Sequence, residues 1–177
     1  IIAKRALKLV PDAVVTVDES EMQWYEKVVP ESQLLPHPPL RSLGAIRNWI
    51  LDNVPGEALV MMDDDIEEVW SYIGLRIKRY THPEDIRQIL ENAAEIAAGI
   101  GVQTFGFNQA AKIYTFKPHD PFEFDNWVGS VLGVVSRDIR WDELLSLHPD
   151  IDYCLQNLLQ KRIIFRDNRF HFYSAKR

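Results

Sequence analysis

Three consecutive carboxylates, Asp63-Asp64-Asp65, follow directly on the wholly apolar run Ala58-Leu59-Val60-Met61-Met62. Adjacent acids repel one another and lose solvation at the end of a buried strand, and a shared cation offsets both costs. Hard divalent ions such as Mg²⁺ and Mn²⁺ take carboxylate oxygen and commonly bridge to a substrate's phosphates. In an extended segment Asp63 and Asp65 point to one side and Asp64 to the other, so a D-x-D pair can offer two carboxylates to one metal–diphosphate. The same residues, continued by Glu67 and Glu68, also suit a solvated acidic turn. A second carboxylate, Asp18, closes another short apolar run, Ala13 to Val17.

The elements that must position these acids follow from periodicity. Ala3, Ala6, Leu7 and Val10 share one helical face, and Pro11-Asp12 stops that helix before the β-branched run. Ser20 and Gln23 are spaced as a capping box for a helix over about 21–28, and Gln33-Leu34-Leu35 is a short strand before the stiff Pro36-His37-Pro38-Pro39 loop. Leu43, Ile46 and Ile50 mark a helix ended by Asn53, Pro55 and Gly56. Thr81 and Glu84 form another capping box, opening the longest helix over about 83–98. Val102 to Phe107 is a strand candidate, 108–127 an aromatic-rich loop or irregular hairpin, and Val128 to Val135 a strand with Gly129 and Gly133 as close-approach points. A late helix carries Ile151, Cys154, Leu155, Leu158 and Leu159, and two final strands cover Ile163 to Phe165 and Phe170 to Tyr173. Strands alternating with helices give a three-layer α/β/α domain with a mostly parallel central sheet, whose ligands lie at the carboxyl ends of its strands. Both Asp18 and the Asp triplet sit at such ends.

Composition narrows the classes. At 177 residues, 46% hydrophobic and 26% charged, the chain builds one ordinary core without staples. A net charge of -6 argues against a broad phosphate-binding surface. The single cysteine, Cys154, excludes an internal disulfide framework and a cysteine-based zinc site. No apolar run approaches the length of a membrane span and no signal-peptide pattern opens the chain, so the cytoplasm is the expected compartment. The chain opens inside a helical pattern that leads straight into a strand. A further strand is therefore expected upstream of Ile1, the first strand of one domain otherwise spanning 1–177.

The order Gly44-Ala45-Ile46-Arg47-Asn48, then Leu59-Val60-Met61-Met62-Asp63-Asp64-Asp65-Ile66, resembles the nucleotide-sugar half of GT-A fold glycosyltransferases, of the D-x-D, family-2-like kind. In that family a Gly-x-x-Arg-Asn helix precedes a strand ending in the metal-binding D-x-D. The wording Arg47-Asn48-x-Ile50-Leu51 and Met61-x-Asp63-Asp64-Asp65-Ile66 is similar to a phage and bacterial branch, the TET/JBP-associated glycosyltransferases, proposed to glycosylate modified DNA bases. The resemblance implies a metal-dependent transferase moving a sugar from a nucleotide-sugar, a UDP-sugar for preference, to a hydroxyl on a glycan, small molecule or modified DNA base.

It also implies roles. Asp63 and Asp65 would hold Mn²⁺ or Mg²⁺, with His171 on a late strand completing the shell. Asp18 and Asp64 would contact the donor nucleotide. Arg47 would reach the diphosphate or hold the D-x-D loop. Asp150, with Asp152 as second choice, would take the acceptor's proton. Each has a plainer reading: carboxylates are favoured in the first turn of any helix, and Phe170-His171-Phe172 alternates as an ordinary strand does. Trp127, Phe122 and Phe124 suit a sugar or base platform or simple core packing. His119 with Asp120, on the long loop, is a candidate acceptor contact. The basic cluster of Lys161, Arg162, Arg166, Arg169, Lys176 and Arg177 suits an anionic acceptor or a charged strand edge. The chain departs from the family in Gln156 and Lys161, where arginine and glycine are usual. Rival readings are a non-catalytic module of the same fold and a nucleotidyltransferase, though no early glycine-rich basic loop supports the latter. A dehalogenase-type phosphatase ranks last, because its acidic motif would stand on the first strand.

Overall fold

The computed structural model describes residues 4–74, 76–108 and 119–174. A short helix α1 (Lys4–Leu9) leads to β1 (Val15–Asp18), α2 (Met22–Tyr25) and β2 (Leu34–His37). Then come α3 (Leu43–Asn53), β3 (Leu59–Met62), β4 (Ile66–Ile73), β5 (Arg76–Tyr80) and α4 (Pro83–Ile100). The chain closes with β6 (Thr104–Asn108), β7 (Phe122–Glu123), β8 (Val131–Val134), α5 (Pro149–Lys161) and β9 (Phe165–Ser174).

The strands form two sheets. β1 and β2 pair in parallel by themselves. The larger sheet runs β3-β8-β6-β9-β4-β5, with β7 added against β9. Among the described residues β6 and β9 are its one parallel pair, and the other pairings are antiparallel. The expectation of a mostly parallel sheet is thus corrected to a mixed one. The physical reason is the antiparallel β4–β5 hairpin, in which β5 (Arg76, Lys78, Arg79) is an exposed charged strand that a search for apolar runs misses, together with β8 running against both its neighbours.

Two cores lie on opposite faces of the larger sheet. One gathers α1, α4 and the sheet around Ile86, Ile89, Ala93, Phe105, Phe107 and Phe165. The other joins α3 and α5 through Leu51, Trp141, Tyr153 and Cys154. β8 shows the alternation that serves both: Val131 packs with the first core, and Leu132 and Val134 with the second. At Gly133 the ring of Phe105 crosses the strand so closely that a Cβ would meet it at 2.0 Å, the close approach expected there.

Local details depart from expectation. Neither capping box forms: α4 starts after His82 with no side-chain cap, and the turn at Glu19 is capped by Asp18. The two final strands are one, β9, bent at Asp167–Arg169 where the Asp167 carboxylate accepts from the Arg169 backbone and guanidinium. β2 takes in Pro36 and His37, an arrangement that suits a short outer strand because proline lacks the ladder donor. Much of the 108–127 loop falls outside the described residues.

Candidate active site

The Gly44-x-x-Arg47-Asn48 motif occupies the first turns of α3, and each member has a task. A Cβ on Gly44 would stand 2.8 Å from the Asp142 carbonyl oxygen, so its absence lets α3 lie against the 141–143 segment. Asn48, buried, grips that segment from both sides. Its amide donates to the Trp141 carbonyl (3.0 Å) and to Glu143 (2.8 Å), and its own oxygen accepts from the Trp141 N–H (3.0 Å). Trp141 then stacks on Tyr153 of α5, ring centroids 3.8 Å apart. Tyr153 is tied through Thr104 to Asn157. α3 and α5 are thereby fixed to one another.

Arg47 stands between these helices, 5% exposed, with the Trp141 ring 5.6 Å from its guanidinium carbon. One nitrogen pairs with Asp150 Oδ1 in the first turn of α5, and the other lies 3.5 Å from Asp63 Oδ1 at the end of β3. Arg47 thus gathers Asp63, the first acid of the triplet, and Asp150 around one cation. Burial presses its own pKa down, and Asp63 opposes that pull. Burial is also the chief reason the Asp63 carboxyl titrates above its ordinary range. Arg47 and a Ser130 hydrogen bond draw it back, and Asp65 and Asp64 push it further up. Arg47 is shared by two carboxylates, Asp63 and Asp150, and Asp64 and Asp65 add negative charge beside Asp63, the condition under which an added cation is stabilising.

β8 sets the strand end itself. The Asp63 N–H donates to the Ser130 carbonyl at 2.8 Å, extending the β3–β8 ladder by one residue. Asp65 accepts from Ser174 Oγ at 2.5 Å, while Asp64 is exposed. All three line one cleft of about 800 Å³, shared with Arg47, His37 and a long apolar flank from α1, β1, α3 and β3.

The other expected residues lie elsewhere. Asp18 stands at the end of β1, but its carboxylate accepts from Ser20 N (2.9 Å) and Oγ (2.6 Å), and these bonds hold its pKa below the ordinary value. Asp152 accepts from Gln156 Nε2 at 2.7 Å, and two residues on from Asp150 it faces another side of α5. His171 is a core residue, 1% exposed, stacked on Trp70 at 4.5 Å with Tyr72 edge-on at 5.5 Å. It lies three residues along β9 from Ser174, the partner of Asp65, or about 10 Å of strand. The structure does not bring His171 to the aspartates. Among the described residues no three His, Cys, Asp or Glu side chains converge as a metal group.

The basic cluster is largely neutralised within the fold: Arg166 pairs with Glu123, Arg169 with Asp167, and Lys161 lies 3.5 Å from Asp138. Lys176 and Arg177 fall outside the described residues. Phe122 and Phe124 pack on Phe165, while Trp127 is 43% exposed. His119 and Asp120 are exposed, and the Asp120 carbonyl accepts from Asn168. Sequence reasoning missed the parts of Asn48 and Trp141. The adjacency of Asn48 to Arg47 was a usable signal; the Trp141 segment carried none. No helix among the described residues is long and apolar enough to cross a membrane.

Comparison with known proteins bears on the fold and the family. In fold the chain is similar to a crystal structure of S. aureus TarS 1-349, with 15% sequence identity and a TM-score of 0.55. The match covers 98% of this chain and 54% of that one, so the chain spans about half of that structure. No curated protein sequence matches. A family model described as TET-Associated Glycosyltransferase matches residues 4–177, and the resemblance read from the Arg47-Asn48 and Asp63-Asp64-Asp65 motifs is borne out. The chain belongs to the TET-Associated Glycosyltransferase family.

Proposed function

We propose that the protein moves a sugar from a nucleotide-sugar, a UDP-sugar for preference, to a hydroxyl acceptor with the help of Mn²⁺ or Mg²⁺. Family membership supports glycosyl transfer. The single observation that carries the finer reading is that Arg47 joins Asp150 to Asp63, and that Arg47 and Asp63 line one cleft with Asp64 and Asp65.

The carboxylates fit a hard cation. Asp63 is crowded by Asp64 and Asp65, and one Asp65 oxygen is taken by Ser174. Two carboxylates are few for a closed protein cage. They suffice where the donor's phosphates and water supply the remaining oxygens, which is how Mg²⁺ is usually held. Bound there, the ion would neutralise charge building on the departing nucleoside diphosphate. His171 remains a proposed ligand only if the late strand shifts, and the pair Asp63 and Asp65 does not depend on it. Asp64, exposed beside them, and Asp18 at the end of β1 are assigned to the nucleotide.

Asp150 is the residue assigned to the acceptor's proton. Arg47 engages its Oδ1, which keeps the carboxylate oriented and leaves Oδ2 to accept. Asp152, turned to another face and bonded to Gln156, is the weaker choice. The branch of the family favours a hydroxyl on a modified DNA base as acceptor. The paired state of Arg166 and Arg169 gives little free positive charge for a long duplex contact.

The test uses the full-length protein and Asp150→Asn. Donor binding should stay within about threefold of wild type while transfer falls by about 10²–10⁴. Transfer at the wild-type rate would remove Asp150 from the mechanism.

A further inference from the structure

The side of α5 that faces away from the core is apolar, and the candidate site makes no use of it. Residues four apart on a helix fall on one stripe, so Ile151, Leu155 and Leu159 line up along α5. The buried positions Tyr153, Cys154 and Asn157 stand on the opposite side. Leu147 lies one turn before Ile151, and Leu144 in the segment that leads to it. Exposure of these five residues runs from 47% at Ile151 to 93% at Leu144. Single exposed leucines are ordinary on a protein surface. Five together leave on the order of 500 Å² of mainly apolar surface in water, the size at which a patch on a single chain often serves an interaction.

Area and charge together name the occupant. Two such patches face to face remove about 1,000 Å² from water through these residues, and a polar rim brings that into the range of about 1,200–2,000 Å² of a stable interface. A two-fold dimer also needs a surface complementary to itself. α5 has one. Its first turn carries Asp152, and its end carries Lys161 and Arg162. Arg162 is exposed and makes no ion pair among the described residues. When two such helices lie antiparallel, the acidic start of each meets the basic end of the other, and their dipoles are opposed in the same favourable sense. A parallel arrangement would set like charges together.

We infer that the protein forms a two-fold dimer through the outer face of α5, the two helices antiparallel, with Ile151, Leu155 and Leu159 at the centre and Leu144 and Leu147 at the flanks. Leu155 meets its own counterpart, and Ile151 meets Leu159 of the second copy. Asp150 stays clear of this interface. It engages Arg47, which is buried between α3 and α5, well round the helix from the stripe. Pairing therefore leaves the candidate site open. The inference does not depend on the glycosyl-transfer reading.

Sedimentation of the full-length protein tests it. At about 50 μM the protein should run as a dimer, since interfaces of this size hold at micromolar strength or tighter. Leu155→Glu/Leu159→Glu should weaken the dimer by at least about 100-fold and leave the circular dichroism of the wild type, because both residues lie outside the core. A short bis-maleimide should join Leu155→Cys chains in pairs, because the axis brings that position against itself. It should leave Glu95→Cys, exposed on α4, unjoined. A monomer at this concentration would overturn the proposal, and slow modification of Leu155→Cys in that monomer would assign the stripe to the rest of the polypeptide instead. A dimer that survives the double substitution, or that joins through Glu95→Cys as readily as through Leu155→Cys, would overturn it as well.

Discussion

Replacing Arg47 by methionine removes the cation that Asp63 and Asp150 share while keeping most of the side-chain volume. Breaking a buried ion pair by deleting one partner costs about 3–5 kcal/mol. Asp63, however, keeps 42% of its side chain exposed and Asp150 20%, so water screens part of that loss. A deficit of about 2–4 kcal/mol at pH 7 is expected, lowering Tm by about 5–15 °C for a domain of this size. The pH dependence is the sharper signature. Burial already holds the Asp63 pKa above its ordinary value, so ionised Asp63 costs stability as pH rises through the ordinary value to the folded one. Without Arg47 nothing comparable opposes that cost. The difference between wild type and Arg47→Met should therefore be small below pH about 3.9 and grow as pH rises, levelling off above the folded-state pKa. Urea melts between pH 3.5 and 7.5 measure it. Adding Asp63→Asn should return about half of the deficit at pH 7. A deficit independent of pH, or smaller than about 0.5 kcal/mol throughout, would refute the assignment of Arg47 as the shared counter-ion.

Three further outcomes follow from neighbouring contacts. Gly133→Ala drives a methyl into the Phe105 ring and should cost about 3 kcal/mol or more by thermal melting, partly recovered by adding Phe105→Leu. Asn48→Ala strands the buried backbone groups of Trp141 and should cost about 2–4 kcal/mol in denaturant melts, while Asn48→Asp, which keeps the acceptor for the Trp141 N–H, should retain part of it. Burial pushes the Cys154 thiol up to about 11, so at pH 8 a disulfide-exchange reagent should label it at least about 100-fold more slowly in the folded protein than after unfolding.

What the residues disclosed by themselves was mostly local. α4 announces itself through helical spacing, since its buried positions (Ile86, Ile89, Leu90, Ala93, Ala97) recur every three or four residues. α5 stands where the spacing put a helix, but its face is corrected: of the residues read as apolar, Cys154 is buried and Leu158 half-buried, Ile151, Leu155 and Leu159 are exposed, and Tyr153 and Asn157 are the other buried positions. The apolar run before Asp63 marks β3 in the same way. The β4–β5 hairpin was not visible, because β5 is mostly exposed and rich in Arg and Lys, the composition that keeps an edge strand from pairing with other chains. Strand direction was not visible either: the apolar pattern of β6 and of β8 is the same whether the two run with or against each other, and they run antiparallel.

The same limit shaped the site. Asp63, Arg47 and Asp150 were each legible, but that one guanidinium joins the two acids depends on how α3 meets α5, which Gly44, Asn48 and Trp141 decide. Asp18 had a local explanation that outweighed the capping box beside it: its short carboxylate reaches Ser20 N two residues on. His171 alternates with two phenylalanines, a pattern that does not say which face is dry. Stacking on Trp70 puts its ring in the core.

Calorimetry of the full-length protein with a UDP-sugar, with and without Mn²⁺, tests the central claim most directly when repeated on Asp63→Ala/Asp65→Ala. The account predicts donor binding that requires the metal and is lost, by at least about 100-fold, in the double variant. Donor binding of equal strength with and without Mn²⁺, unchanged by loss of both aspartates, would contradict it.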